Sequence, residues 1–332
     1  MKKLVVLLLC FGFLFSLAAC TSEEPSTDSN TDTDSDTGST SSRTEVYDGP
    51  ELVIACDQKN ERAVIYDLRQ SELDGNELWE FAPRRGSCVN ISGVKYRNNA
   101  VLGEVVVLCA SGGYAGIVTY PGKEVLWQTD SAGNNPHSVE LLPNGNLAVA
   151  SSSGSTVRLY ASSQTGADAS RYIEVELYGA HGVLWDPTLE VLWALGNYDL
   201  IAYRVGGTDA KPTLTEDTVL STRLPTMWGH DLAPVYGDSD RLWVTTDSHV
   251  YQFVKSTGAF ERNYAGNRRI SKSSVKGVGN FPESGAVALV APDGTYREWN
   301  TSVIQYVRIQ QSENGTVQTE TETRTTKQKC LL

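Results

Sequence analysis

The stretch "NNPHSVELLPNGNLAVASS", residues 134–152, decides the fold. Two strand-like runs flank Pro143-Asn144-Gly145. Those three residue types favour a turn, because Pro presets φ and Asn and Gly tolerate left-handed backbone. The stretch therefore reads as one β-hairpin, and a single histidine, His137, opens its first strand. Whether that histidine has counterparts elsewhere in the chain is the next question.

It does, because the hairpin belongs to a repeat. From residue 51 onward, short β-rich runs alternate with Gly, Asn, Asp and Pro turns, and no amphipathic helix pattern stands out. Many short strands at regular spacing indicate a sandwich, barrel or propeller. One strand of each unit ends on an aromatic: "AVIYDL", "GIVTYP", "TVRLYA", "LIAYRV", "VYQFVK" and "VIQYVR". Tyr66, Tyr120, Tyr160, Tyr203, Phe253 and Tyr306 follow one another at 40–54 residues. That period is the length of a four-stranded propeller blade. Trp79, Trp127, Trp193 and Trp243 keep the same phase, and all these aromatics are expected to pack between stacked sheets. The expectation is an all-β propeller over residues 49–326, with six four-stranded blades, seven being the alternative, and a short tail at 327–332. The first unit lacks an inner strand of its own. Either "TEVYD" at 44–48 or the C-terminal tail is expected to supply it. In the fourth unit the outermost strand is expected in "DTVLSTRL", residues 217–224, and in the sixth in "TVQTETETR", residues 316–324.

The repeat gives His137 its counterparts. His137, His181 and His230 open the inner strands of three consecutive units, 44 and 49 residues apart, and the chain has only four histidines. Lys276 takes the same place in the sixth unit and Ser92 in the second. Inner strands line the central channel, so the three imidazoles should converge at one mouth. Neighbouring strands are antiparallel, which brings the ends of the second strands to that same face. Asp57, Gln58, Ser151–Ser153, Asn197–Asp199, Asp247–His249 and Pro292–Asp293 should therefore surround it, with Asn135 beside His137. Three readings fit. The histidines are structural hydrogen-bonding groups; or, with Lys276 and Arg85, they bind an anionic or sugar-like molecule; or they hold a divalent metal such as Mn, Zn or Ca.

The chain ends read differently. "MKKLVVLLLCFGFLFSLAAC" has two lysines, an apolar run from Leu4 to Ala19 and small residues before Cys20, the pattern of an export signal over residues 1–19. Leu17-Ala18-Ala19-Cys20 resembles the bacterial lipobox, which implies lipid on Cys20 and attachment to a membrane on its extracytoplasmic side. Residues 20–48 are mainly Ser, Thr, Asp, Glu and Asn, too polar to offset the entropy of ordering, and should form a solvated tether. The net charge is −12, which argues against a nucleic-acid partner. Cys56, Cys88, Cys109 and Cys330 would remain after export and lipidation. They permit three disulfide pairings, or Cys56 and Cys109 are small buried residues at matching repeat positions. No CxxC pair, GxSxG elbow, Walker loop or HExxH helix is present.

"NNPHSVELLPNGNLAVASS", "HGVLWDP…LWALG" and "GHDLAPV…LWVTT" together resemble a family of uncharacterised bacterial secreted propellers. In that family an N-terminal "DQ", matched by Asp57-Gln58, precedes an "NPHS" motif, matched by Asn135–Ser138. The resemblance spans residues 51–310 and implies a propeller outside the cytoplasm. A more distant likeness is to oligogalacturonate lyases, propellers with three channel histidines and a glutamine around manganese; His137, His181, His230 and Gln58 would match. Strands such as "ELWEF" are also similar to quinoprotein-type blades. The function expected is binding of a polar ligand, carbohydrate above all, at the histidine mouth by a monomeric lipid-anchored propeller. The alternatives are a metal-dependent polysaccharide lyase or hydrolase at the same histidines, and a cell-envelope interaction scaffold.

Overall fold

The second strand of each repeat is apolar on both faces: Val105–Ala110, Leu147–Ser151 and Val191–Leu195 are buried without interruption. Continuous burial means that each sheet is covered on both sides. Outer strands instead alternate, as in Tyr172–Glu176, where every second residue is exposed. The computed structural model describes residues 47, 49–84, 86–166, 169–294, 299–311 and 316–326. The leader, Cys20, nearly all of the tether, Arg85, Cys330 and the tail at 327–332 lie outside them. No helix among the described residues is long and apolar enough to cross a membrane.

Six antiparallel sheets make a six-bladed β-propeller. Blade 1 comprises Leu52–Asp57, Arg62–Asp67 and Trp79–Phe81. The inner strands of the next five blades are Ile91–Asn99, Pro136–Leu141, Gly182–Asp186, Gly229–Pro234 and Gly277–Phe281. Each is followed outward by strands in chain order. The opening hairpin has the expected register, with Leu141 opposite Leu147 and the turn closed by Gly145 N–H donating to Leu142 O at 2.9 Å. Gly145 takes φ 85°, the left-handed value the turn requires.

Blades adhere through six apolar seams. In one, Cys56, Ile65 and Trp79 of blade 1 meet Ile91, Val106 and Leu108 of blade 2. In the last, Ala286, Ala288 and Tyr306 of blade 6 meet Ala55, Val64 and Tyr66 of blade 1, which closes the ring. The repeating aromatics occupy these seams. Trp127 lies 5.0 Å from Tyr160, and Trp193 lies 5.5 Å edge-to-face from Phe253.

One expectation about strands is corrected and one holds. The tail at 327–332, a candidate for the inner strand of blade 1, lies outside the described residues, and Val317–Thr325 pairs with Val303–Gln311 as the expected outermost strand of blade 6. That strand also secures the closure, because Leu73 N–H donates to Thr325 O at 3.0 Å and the Arg324 guanidinium donates to Leu68 O. Blade 1 has three strands among the described residues, and "TEVYD" falls almost wholly outside them. In blade 4 the outer strand is Lys211–Glu216, which extends the long Asp199–Thr208 strand as a hairpin. Thr222–Arg223 within "DTVLSTRL" forms only a two-residue addition beside Asp199–Leu200.

Candidate functional site

Backbone bonds between loops set where each inner strand begins. Asn197 N–H donates to Tyr178 O (2.9 Å), Trp228 N–H to Asn197 O (2.6 Å), Asp247 N–H to Trp228 O (2.9 Å) and Ser274 N–H to Asp247 O (2.9 Å). This belt fixes the approaches to His181, His230 and Lys276. At blade 3 the equivalent bonds run from Ser152 N–H to Asn135 O and from Gly154 N–H to Asn134 O, both 2.9 Å. Close approach of the strands also matters. A Cβ on Gly229, next to His230, would fall 2.5 Å from Gly196 O, so only glycine lets blades 4 and 5 meet there.

The three imidazoles come together. His137 and His181 have ring centroids 4.4 Å apart and lie edge-to-face at 79°. His181 and His230 are 5.5 Å apart at 67°. Lys276 Nζ continues the arc, 2.9 Å from His230 Nε2 and 3.1 Å from Nδ1. Asp247 Oδ1 lies 3.6 Å from His230 Nε2 and accepts from Ser274 Oγ at 2.8 Å.

The protonation of this arc follows from its contacts. His137 Nδ1 lies 3.0 Å from Pro136 O, and His181 Nδ1 lies 2.9 Å from Gly179 O. A carbonyl only accepts, so each Nδ1 carries hydrogen and each neutral ring keeps Nε2 as an acceptor. Burial holds all three imidazoles below the ordinary histidine value. His181 is held well below that value, first by burial and then by His137, and His230 is held at about 4 by burial and the Lys276 ammonium. Burial brings Lys276 down to about 8, with Asp247 opposing it. Near neutral pH the arc is three neutral rings, one ammonium and one carboxylate.

As it stands, this arrangement does not fit a three-imidazole metal site. An ammonium against both nitrogens of His230 repels a dication at the place where the third ring would donate. Among the described residues, no three His, Cys, Asp or Glu side chains are grouped to hold a metal ion.

The other sequence candidates have different partners. Asp57 accepts from Arg62 Nε at 2.8 Å and from Asn60 Nδ2 at 2.7 Å, within its own hairpin. Gln58 donates to Ile91 O (3.0 Å) and accepts from Asn300 Nδ2 (3.2 Å), tying the end of the first described strand of blade 1 to blade 2 and to a loop of blade 6. Asn135 adopts φ 62° and donates to Ser153 Oγ at 3.1 Å, so it shapes the turn into His137. Ser92 Oγ donates to Pro136 O at 2.6 Å. The fourth histidine, His249, packs edge-to-face on Tyr251.

Two further groups escaped the sequence reading. Within the inner strands, the fully buried Glu140 accepts from Arg97 (2.6 Å at both Nε and Nη2) and from Lys95 (3.0 Å). Burial opposes its charge, but Arg97 and Lys95 hold it below the usual carboxylate range. Charged residues inside otherwise apolar inner strands were the available signal. The second group is Tyr178 and Trp228, which with Tyr198, already expected at the mouth within 197–199, make an aromatic rim on the loops that lead into the histidine arc. A hollow of 490 Å³ on blade 1 lies elsewhere, and its Arg62 is already paired with Asp57 and Glu77.

Fold and inner-strand arrangement define a six-bladed β-propeller with a polar, histidine-bearing channel mouth. The chain belongs to the family described as "Family of unknown function (DUF6528)", which matches residues 2–305. No curated protein matches the chain. Among solved structures it is similar to a putative 6-phosphogluconolactonase from Bacteroides uniformis, with 11% identity, a TM-score of 0.51 and 82% of each chain covered. It is also similar to hydrazine synthase from Kuenenia stuttgartiensis, with 12% identity, a TM-score of 0.45, and 72% of this chain and 69% of that one covered. The first likeness concerns the fold alone, and the second carries no argument.

Proposed function

We propose that this protein is a lipid-anchored propeller of the cell envelope that holds a neutral, polyhydroxylated ligand, a saccharide, at the mouth formed by His137, His181, His230 and Lys276. One observation carries the reading: His137 and His181 spend their Nδ1 hydrogens on Pro136 O and Gly179 O, which leaves two Nε2 acceptors beside an ammonium donor. A hydroxyl both donates and accepts, so sugar hydroxyls match that mixture. An anion would instead favour protonated imidazoles, which burial opposes. The anchor rests on Leu17-Ala18-Ala19-Cys20 behind an apolar leader.

The test is calorimetric titration of the protein with neutral and uronate oligosaccharides, in parallel with a His181→Ala variant, plus metal analysis of both. The proposal expects a neutral saccharide to bind the parent and not the variant. A stoichiometric metal that is lost with His181→Ala would overturn it in favour of metal-dependent polysaccharide cleavage, which draws on the same Nε2 lone pairs. Equal saccharide binding by parent and variant would also overturn it.

A further inference from the structure

Three aromatic side chains flank the histidine arc without being used to build the core. Tyr178 is 59% exposed and Trp228 is 45% exposed, while Trp79, Trp127, Trp193 and Trp243 are buried in seams between blades and Trp185 is partly buried against one. Tyr178 and Tyr198 lie parallel, 5.8 Å between centroids and 9° between planes. The three sit on three different loops, yet one run of backbone bonds joins them: Asn197 N–H to Tyr178 O, then Trp228 N–H to Asn197 O. Tyr178 lies three residues before His181, and Trp228 two before His230, so rim and arc share the same loops.

Trp228 is unusual in backbone as well as exposure. Its φ is 66°, in the left-handed region that bulky residues rarely adopt. Both its backbone groups are bonded, N–H to Asn197 O and O to Asp247 N–H, so the neighbours enforce that conformation. Burial does not offset the strain fully, because nearly half of the side chain faces solvent. Among the described residues its indole N–H has no hydrogen-bond partner, and Asn197 Oδ1, buried between the two aromatic loops, is an acceptor that also lacks one. Asn197 Oδ1 is out of an occupant's reach, so an occupant of this rim meets flat apolar faces and one free donor, the Trp228 indole N–H.

We infer that Tyr178, Tyr198 and Trp228 form a stacking subsite for a pyranose ring, which extends the histidine mouth so that it takes an oligosaccharide and not a single sugar. The inference rests on the saccharide reading of the histidine arc. Pyranoses with equatorial hydroxyls, such as β-linked glucose, present a flat C–H face that an aromatic ring covers, while their edge hydroxyls remain for polar groups. Arg223, which lies over Tyr198 at 5.6 Å, is paired with Asp199 at 3.3 Å, so a uronate carboxylate would have to compete with Asp199 for it, whereas a neutral sugar would not.

The experiment titrates the protein with β-1,4-linked glucose oligomers of increasing length and follows tryptophan fluorescence and heat. Trp228→Ala, Trp228→Gly and Tyr178→Ala are measured beside His181→Ala. Glycine suits the positive φ, so Trp228→Gly keeps the fold by circular dichroism even where Trp228→Ala does not. The expected result is that affinity rises with oligomer length in the parent, falls about tenfold in Trp228→Gly and in Tyr178→Ala, and in those variants no longer depends on length. Loss of binding in His181→Ala alone, with Trp228→Gly and Tyr178→Ala unchanged, overturns the subsite and leaves the histidine reading standing. Failure of the parent to bind any of the oligomers overturns both. Concentration-dependent self-association that is lost in Trp228→Gly overturns the subsite in favour of a second copy of the chain on the rim.

Discussion

Replacing His230 by Gln removes an imidazole that the fold keeps neutral, and the effect should emerge only on acidification. An unfolded chain takes up a proton near the ordinary histidine value of about 6.5. In the folded protein, burial and Lys276 delay that uptake until about 4. Because the folded-state value is depressed, the unfolded state binds more protons below 6.5, and stability falls as pH drops through the window from 6.5 to 4. Above that window both states are neutral and the titration contributes nothing. The shift of about 2.5 units corresponds to roughly 3 kcal/mol once pH has fallen below 4, and about 2 kcal/mol is already lost at pH 5. His230→Gln lacks this proton uptake, while most carboxylate titrations are common to both proteins and cancel. Urea unfolding followed by tryptophan fluorescence between about pH 8 and pH 5 measures the difference. The stability of the parent relative to the variant should decline by about 2 kcal/mol from pH 7 to pH 5. Parallel curves for the two proteins would refute the reasoning, because they would mean that His230 titrates alike folded and unfolded.

Glu140→Gln should cost about 2–4 kcal/mol in urea unfolding, since it leaves the half-buried Lys95 and Arg97 charges without their carboxylate; a loss below about 1 kcal/mol would show that the network is not needed. Gly229→Ala should lower stability by about 1–3 kcal/mol by driving its methyl against Gly196 O and Leu195. Cys56, Cys88 and Cys109 are free and buried, and burial pushes each thiol up, Cys109 to about 12. Peptide mapping after treatment with a thiol reagent should therefore find these three unmodified in the folded protein and modified in urea.

The parts of this molecule legible in the sequence are those that repeat. A blade recurs as a unit, so the phase of Tyr160 and its counterparts located the strands. The same phase placed His137, His181 and His230 at one mouth, where the structure has their rings 4.4 and 5.5 Å apart. What did not repeat stayed hidden. Asp57 sits at the expected strand end, but its short side chain is captured by Asn60 and Arg62 a few residues on. Gln58 bonds to Asn300, 242 residues away, at a closure that occurs once in the ring. Of the aromatic rim, Tyr198 fell within the expected 197–199, but Tyr178 and Trp228 escaped because they lie on crossover loops, positions that a strand alignment does not superpose. The ring closure itself depends on Arg324 and Thr325 meeting blade 1, and their strand reads as the ordinary end of the last repeat.

The central claim is that the histidine arc is a binding site for sugar hydroxyls. The measurement that tests it most directly is a crystal structure of the protein with a β-1,4-linked glucose oligomer. The account predicts sugar hydroxyls within hydrogen-bond distance of His181 Nε2 and Lys276 Nζ. A bound oligomer that touches none of His137, His181, His230 and Lys276 would contradict it.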